Sequence, residues 1–189
     1  KSTVFSETFS SDTPGLVSSL VNWNVTGNVD VGNYISGNNG QEIDLAGNNN
    51  ATITSKNSFV LTPGDYELSF DHRLNNNPTG GNSVNVKIGT LFNQTFNSPS
   101  TAQKETVTFT VSNSESATIT LQQLGIDDAA GSFIGDFKLS KILSPSFLIY
   151  NDATDSCGIS SISVSKSTFD CSNIGENTVT LSATDSNGN

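Results

Sequence analysis

Four residues have the side chains needed to bind a sugar, and they fall in or beside loops of an alternating polar and apolar pattern. They are Tyr34, Asp71, Arg73 and Asn75. Carboxylate, guanidinium and amide groups can hydrogen-bond to hydroxyls, and a partly exposed aromatic ring can pack against the apolar face of a sugar. A fixed pair of Arg73 with a carboxylate could also orient two hydroxyls at once. The four residues are therefore predicted to form a ligand-binding site.

The same side chains could instead belong to an ordinary solvated sheet face, where an exposed ion pair adds little stability. Glu67, Asn85 and Lys87 would lie on the same outward face as Asp71 if the strands that carry them pair with each other. Both interpretations stay open from the sequence alone.

The inventory of reactive side chains argues against an enzyme. His72 is the single histidine of the chain, so a metal centre built on several histidines is excluded. The sequence contains no nucleophile elbow, phosphate-binding loop or zinc-protease motif. Pairs of carboxylates could hydrolyse a glycoside, but the Asp and Glu residues lie mostly in turn-like stretches. We predict a non-catalytic chain, in which His72 is a partly buried strand residue with a hydrogen-bonded ring.

Two cysteines, Cys157 and Cys171, flank a short loop with strand-like edges. A disulfide between them would constrain the unfolded chain by about 3 kcal/mol on the loop-entropy estimate and would indicate an oxidising compartment. The alternative is a pair of buried free thiols. The first interpretation predicts a secreted chain, in an extracellular or cell-surface location.

Charge and composition exclude several classes of partner. The 189 residues carry a formal net charge of −10 with only eight Lys and Arg, and these are scattered. Binding to phosphates requires clustered positive charge, so nucleic acid and anionic membrane surfaces are not expected partners. No apolar run approaches the roughly 18 residues of a membrane span, so membrane insertion is not expected either.

Short segments with a period of two run through most of the chain and predict β-strands. The clearest is residues 66–71, where Tyr66, Leu68 and Phe70 alternate with polar residues. In the stretch 42–45, Ile43 and Leu45 are expected to point inward and the two acidic residues outward. Many short strands separated by turn signals indicate an all-β jelly-roll β-sandwich over residues 1–142. Residues 143–189 offer about three further strands and are predicted to be part of a second, immunoglobulin-like β-sandwich.

The first region resembles the galactose-binding-like jelly rolls found in secreted bacterial proteins and carbohydrate-binding modules. The resemblance depends on the order and spacing of several pieces. They are ETF at residues 7–9, WNVT at 23–26, NVDV at 28–31, EIDLAG at 42–47, PGDYELSFD at 63–71, TVTFT at 106–110 and GDFKL at 135–139.

This resemblance implies a structural calcium ion that ties the first strand to the last. The matching positions are Glu7 and Asp136, with Asp12 or a nearby carbonyl as a further ligand. The alternative is that Asp136 caps a turn and Glu7 faces water.

The second region resembles an immunoglobulin-like repeat that occurs in tandem in large bacterial surface proteins, including gliding-motility adhesins. The matching stretches are DSCGIS at residues 155–160, SVSKSTFDC at 163–171, GENTVTL at 175–181 and DSNGN at 185–189. The repeat is short at both ends. The resemblance implies that further copies of the repeat in the same parent chain are its neighbours.

Taken together, these features predict a non-catalytic carbohydrate-binding or adhesion module of a large secreted bacterial surface protein. Its expected partner is a polysaccharide or a cell-surface glycan. The main alternative is a purely structural stalk of a giant gliding-type adhesin, with no small ligand. A hydrolase or lyase is a weaker third interpretation, because the sequence shows no catalytic constellation.

Overall fold

A computed structural model describes residues 1–38, 40–75, 82–143, 158–169, 173 and 177–188 of the chain. Residue contacts divide the chain into two compact units, Lys1–Ile142 and Leu143–Asn189. Each unit is described by itself. No helix within the described residues is long and apolar enough to cross a membrane.

The first unit is built entirely of strands, as the alternating pattern predicts. The strands are β1 (Ser2–Glu7), β2 (Gly15–Val17), β3 (Trp23–Thr26), β4 (Val29–Gly32), β5 (Glu42–Asp44), β6 (Thr52–Ser55), β7 (Phe59–Leu61), β8 (Gly64–Leu74), β9 (Ser83–Ile88), β10 (Phe92–Asn97), β11 (Gln103–Val111), β12 (Glu115–Ala117), β13 (Ile119–Leu124) and β14 (Ser132–Lys141).

These strands form two antiparallel sheets that enclose one core. The seven-stranded sheet has the order β11-β8-β14-β5-β4-β2, and β1 also pairs with β14. The five-stranded sheet has the order β10-β9-β13-β6-β3, and β7 pairs with β12 in a separate ribbon. The prediction of an all-β sandwich with two sheets is therefore confirmed.

Aromatic side chains fill the middle of the sandwich. Trp23 is fully buried, and its ring meets Phe137 edge-on at 6.0 Å and Phe5 at 5.5 Å between centroids. Phe70 stacks against Phe137 at 6.0 Å and meets Phe96 edge-on at 5.1 Å. Phe70, Phe96 and Phe137 therefore belong to the core, and so does Trp23, which is not a sugar platform.

The strands that carry Asp71 and Lys87 do not pair with each other. β8 and β9 follow each other in the chain, but β8 lies in the seven-stranded sheet and β9 in the five-stranded sheet. Asn85 and Lys87 consequently belong to a different sheet from Asp71 and Glu67. Alternation within each strand gives the face on which a side chain lies, but it does not show to which sheet the strand belongs.

Strand β14 contains a β-bulge in its pairing with β8. Its pairing with β8 shifts between Gly135 and Lys138, and Asp136 adopts a left-handed backbone with φ of 43°. A bulge of this kind re-aims the side chains beside it. Phe137 can thus point into the core while Asp136 stays on the surface.

In the second unit, the described residues contain one antiparallel pair, β15 (Ile159–Val164) and β16 (Leu181–Asp185). The immunoglobulin-like sandwich expected for residues 143–189 stays a prediction. Both cysteines of the predicted disulfide, Cys157 and Cys171, lie outside the described residues.

His72 is buried inside the first unit. Its Nε2 atom lies 3.0 Å from the Ser98 hydroxyl, and Ser98 in turn lies 2.5 Å from the Ser132 hydroxyl. Burial lowers the pKa of His72 to about 4, although the nearby negative charge of Glu105 acts to raise it. The ring is therefore neutral in the folded protein at neutral pH, more deeply buried than the sequence suggests.

This pKa predicts a dependence of stability on pH that can be assigned to one residue. The unfolded chain binds a proton at His72 near pH 6.5, whereas the folded chain does so only near pH 4. The contribution of the neutral His72 ring to the free energy of unfolding is fully present above pH 6.5. Between pH 6.5 and about 4 it is lost by up to about 1.4 kcal/mol per pH unit. Urea unfolding of wild type and H72Q at pH 7.5 and 5.0, followed by Trp23 fluorescence, measures this loss.

The free energy of unfolding of wild type should fall relative to that of H72Q between these two pH values. Carboxylates that titrate in the same range are common to both proteins and cancel in the difference. A difference that does not change with pH would show that His72 is not neutral and buried as described.

Candidate functional site

An open groove lies on the outer face of the seven-stranded sheet. It has a volume of about 200 Å³ and is lined by residues 35–38 on one side, by residues 102–104 on the other and by Asp71. One wall is a loop that follows β4, and the other is the start of β11. We call this feature the outer-face groove.

Strand register brings the polar groups of the groove together. Lys104 of β11 pairs with Asp71 of β8, and Asp71 pairs with Gly135 of β14 on its other side. Residues that face each other in neighbouring strands point to the same side of a sheet. A Cβ atom at Gly135 would collide with the Asn38 amide, so the missing side chain makes room for the loop that forms the wall.

Lys104 is the electrostatic centre of this site. Its ammonium lies 3.2 Å from Asp71 Oδ1 and 2.9 Å from Asp136 Oδ2. Partial burial acts to lower the pKa of Lys104, but the hydrogen bonds to Asp136 and Asp71 outweigh it, and the pKa is raised. The groove therefore presents one fixed ammonium between two carboxylates.

The loop wall is held by a buried carboxylate. Glu42 is fully buried, and its Oε2 accepts the main-chain N–H groups of Tyr34 at 2.5 Å and Ile35 at 3.2 Å. Its Oε1 accepts the Asn38 side-chain amide at 2.7 Å. Glu42 does point outward from the sheet, as the alternation predicts, but the loop covers it completely.

Tyr34 lies beside the groove and stacks on a second aromatic residue. Its ring lies 4.4 Å from that of Phe133 with an angle of 16° between the planes, and the Arg73 guanidinium lies 4.9 Å from the Phe133 ring. Burial raises the pKa of Tyr34, and a hydrogen bond to Asp30 raises it further. One ring face of Tyr34 is thus used for packing within the protein.

The fourth predicted residue, Asn75, supports the site indirectly. Its side-chain amide donates to Asp44 Oδ2 at 2.7 Å, while Asp44 Oδ1 accepts the N–H groups of Ala46 and Gly131. Burial raises the pKa of Asp44, although these hydrogen bonds act to lower it. Asp44 pairs with Phe133 in the sheet.

The structure thus gathers all four predicted ligand-binding residues around one part of the outer face. Asp71 lines the groove itself, while Tyr34 and Arg73 both pack on Phe133, which pairs with Asp44, the partner of Asn75. The assignment of these residues to ligand binding stays a prediction.

Sequence reasoning missed two residues that line the groove, Lys104 and Asn38, and also Phe133, on which Tyr34 and Arg73 pack. Lys104 has a signal in the sequence, because extending the alternation of Thr106 and Thr108 back by one step places it on the same face. Asn38 and Phe133 have none, because their roles depend on a loop folding over the sheet.

The residues predicted to bind calcium have other partners. Glu7 is buried, and its carboxylate accepts three hydrogen bonds, from Phe9 N at 2.8 Å, Asn22 Nδ2 at 2.8 Å and Trp23 Nε1 at 3.1 Å. Asp136 is paired with Lys104. The described residues include no group of three or more His, Cys, Asp or Glu side chains that could hold a metal. Calcium between Glu7 and Asp136 stays a prediction from resemblance, and these contacts do not fit it.

A row of Glu105, His72 and Ser98 has the residue types of a hydrolytic triad, but its geometry is that of a structural network. His72 Nδ1 lies 3.7 Å from Glu105 Oε1, which is too long for a hydrogen bond. His72 is fully buried, and the main-chain N–H of Ser98 donates to the Asn82 carbonyl. The main-chain N–H of Ser98 is therefore not available to stabilise an oxyanion, and the buried His72 ring cannot reach a substrate as a general base.

No family model and no curated protein matches the chain. Among solved structures, the C-terminal CBM6 of LamC, a marine laminarinase from Zobellia galactanivorans, is similar to it with 14% identity and a TM-score of 0.46, over 64% of this chain and 94% of that one. CBM35 from Paenibacillus barcinonensis matches with 14% identity and a TM-score of 0.47, over 73% and 99%. The module CBM6cm-2 from Cellvibrio mixtus lichenase 5A, solved with cellotriose, matches with 11% identity and a TM-score of 0.45, over 75% and 99%. The likeness to these carbohydrate-binding modules is one of overall fold.

Proposed function

We propose that the first unit binds a glycan, without catalysis, in the outer-face groove. The observation that carries this proposal is the Asp71–Lys104–Asp136 row in an open groove whose opposite wall is fixed by Glu42. Donor and acceptor groups held in place before the ligand arrives reduce the entropy lost on binding.

The chemistry of the groove suits hydroxyls. The Lys104 ammonium can donate, the Asp71 and Asp136 carboxylates can accept, and a hydroxyl group can do both. Typical small-molecule pockets have about 300 to 1,000 Å³. At about 200 Å³ the groove is smaller and open, so it suits one or two units of a chain that lies across it rather than an enclosed ligand.

Charge favours a neutral glycan over an anionic one. The carboxylates of Asp71, which lines the groove, and Asp136 outnumber the one ammonium that they flank, and the whole chain carries a net charge of −10. An acidic polysaccharide would meet repulsion both at the site and on approach. The proposed ligand class is therefore a neutral polysaccharide or cell-surface glycan.

The wider role is part of the same proposal. A glycan-binding unit of this kind would serve adhesion in a large secreted or cell-surface protein, with tandem immunoglobulin-like repeats on its C-terminal side. The structural stalk without a small ligand is the outcome that a negative binding result would favour.

The first test is binding of the full chain to a panel of neutral and acidic polysaccharides, by affinity electrophoresis and calorimetry. We expect saturable binding to one or more neutral polymers, with reducing-sugar assays showing no release of product. Absence of binding across the neutral polymers would contradict the proposal.

The groove residues can be tested one at a time against a matched lysine. K104A and D71N each remove charged hydrogen-bonding groups worth about 1.5 to 3 kcal/mol, so affinity should fall about 10- to 100-fold. K87A, which changes a lysine of the five-stranded sheet, should bind like wild type. Equal losses in K104A and K87A would indicate that net charge, and not the groove, determines binding.

The wall can be tested through Glu42. In E42Q the side-chain amide would bring N–H groups toward the donors of Tyr34, Ile35 and Asn38, so the loop should leave the sheet. We expect a loss of about 2 to 4 kcal/mol in stability and a loss of glycan binding at temperatures where the variant is still folded. Unchanged binding by folded E42Q would show that the loop is not part of the site.

A further inference from the structure

A second cluster of charges lies at the end of β1. It contains the carboxylates of Glu7 and Asp12, the carbonyls of Leu20 and Val21 and the ammonium of Lys56, and we call it the Glu7 corner. Glu7 is 6% exposed and Asp12 is 7% exposed. Two buried acids this near each other require a nearby positive charge or hydrogen-bond donors.

Lys56, the residue after β6, contributes a positive charge that acts on Asp12, while its direct contacts are with main-chain carbonyls. Its Nζ atom donates to the carbonyls of Leu20 at 2.8 Å and Val21 at 3.0 Å, and its main-chain N–H donates to the Asn22 carbonyl at 2.9 Å. One residue thus holds three consecutive carbonyls of the segment that leads into β3.

The same segment is tied to both carboxylates. The N–H of Val21 donates to Asp12 Oδ1 at 2.6 Å, and the Asn22 amide donates to Glu7 Oε2 at 2.8 Å. Burial raises the pKa of Asp12, the hydrogen bond from Val21 lowers it, and the charges of Glu7 and Lys56 act in opposite directions. The pKa of Asp12 is raised overall, so the charge of Lys56 offsets only part of the effects of burial and of the Glu7 charge.

Lys56 thus gathers carbonyl oxygens and offsets part of the charge of the nearby carboxylates, and a bound calcium ion performs the same tasks in a protein. We infer that the ammonium of Lys56 takes the place of a metal ion in the Glu7 corner, so that the unit Lys1–Ile142 folds and keeps its loops without calcium. The contacts of Glu7, all three from N–H donors, agree with this assignment because they leave its oxygens turned toward donors rather than a cation.

The inference has a second consequence. Asp12 Oδ2 is buried and has no hydrogen-bond partner among the described residues. Removing the Lys56 side chain would free the two carbonyls as well, and three hard oxygen atoms would then lie in one corner. K56A should therefore become a protein that calcium stabilises, although wild type is not.

Thermal unfolding of the full chain tests whether Lys56 replaces a metal ion. Trp23 fluorescence is a suitable probe, because Trp23 is the single tryptophan and its Nε1 donates to Glu7. Fluorescence melts are recorded for wild type, K56A, K56R and K87A in millimolar CaCl₂ and in EDTA. Wild type and K87A should melt at the same temperature in both solutions. K56A in EDTA should melt about 4 °C or more below wild type, K56R should recover most of that loss, and calcium should raise the midpoint of K56A.

Three results would overturn the inference. The first is a wild-type midpoint that calcium raises and EDTA lowers, since the metal would then be the resident cation. The second is a K56A midpoint equal to that of K87A, since the ammonium would then hold nothing. The third is a K56A midpoint that calcium leaves unchanged, since the lysine would then not stand where a metal could bind.

Discussion

Buried carboxylates that accept main-chain N–H groups hold the loops of this sandwich in place. Glu42 fixes the loop after β4, Asp44 fixes the chain at Ala46 and Gly131, and Glu7 and Asp12 fix the segment before β3. Burying an ionised group costs several kcal/mol in desolvation, and hydrogen bonds to its oxygens offset that cost. The positions of these loops therefore follow from their hydrogen bonds to buried carboxylates. The groove is one consequence, because Glu42 holds the loop that forms its wall.

Each of the two charge clusters has a lysine near two carboxylates, but the two lysines donate to different groups. In the outer-face groove, Lys104 lies between two carboxylates but stays partly open to solvent, so its hydrogen-bonding capacity can be shared with a ligand. In the Glu7 corner, the Lys56 ammonium donates hydrogen bonds to the main-chain carbonyls of Leu20 and Val21 and keeps that segment in place. One lysine is suited to recognition and the other to architecture.

The sequence predicts the strands well because alternation with a period of two is a local property. Tyr66, Leu68 and Phe70 point into the core as expected, and so does Trp23. Which strands are neighbours is not a local property, so the sequence left open whether β8 pairs with β9, and the two strands lie in different sheets. Glu42 shows a further limit, since alternation gives the face of the sheet but does not show that a loop covers that face. Lys104 became part of the site only through the pairing of β11 with β8.

The way in which Glu42 binds the loop also determines how this scaffold could be re-engineered. Two of its three contacts are with main-chain N–H groups, which every residue except proline provides. Exposed positions along the walls, such as Ser36, Ala102 and Gln103, can therefore be exchanged without removing the anchor. Gly37, with φ of 87°, is the position of that wall where the backbone conformation restricts the choice. A library randomised at the three exposed positions would keep the sandwich and vary the side chains that the groove presents.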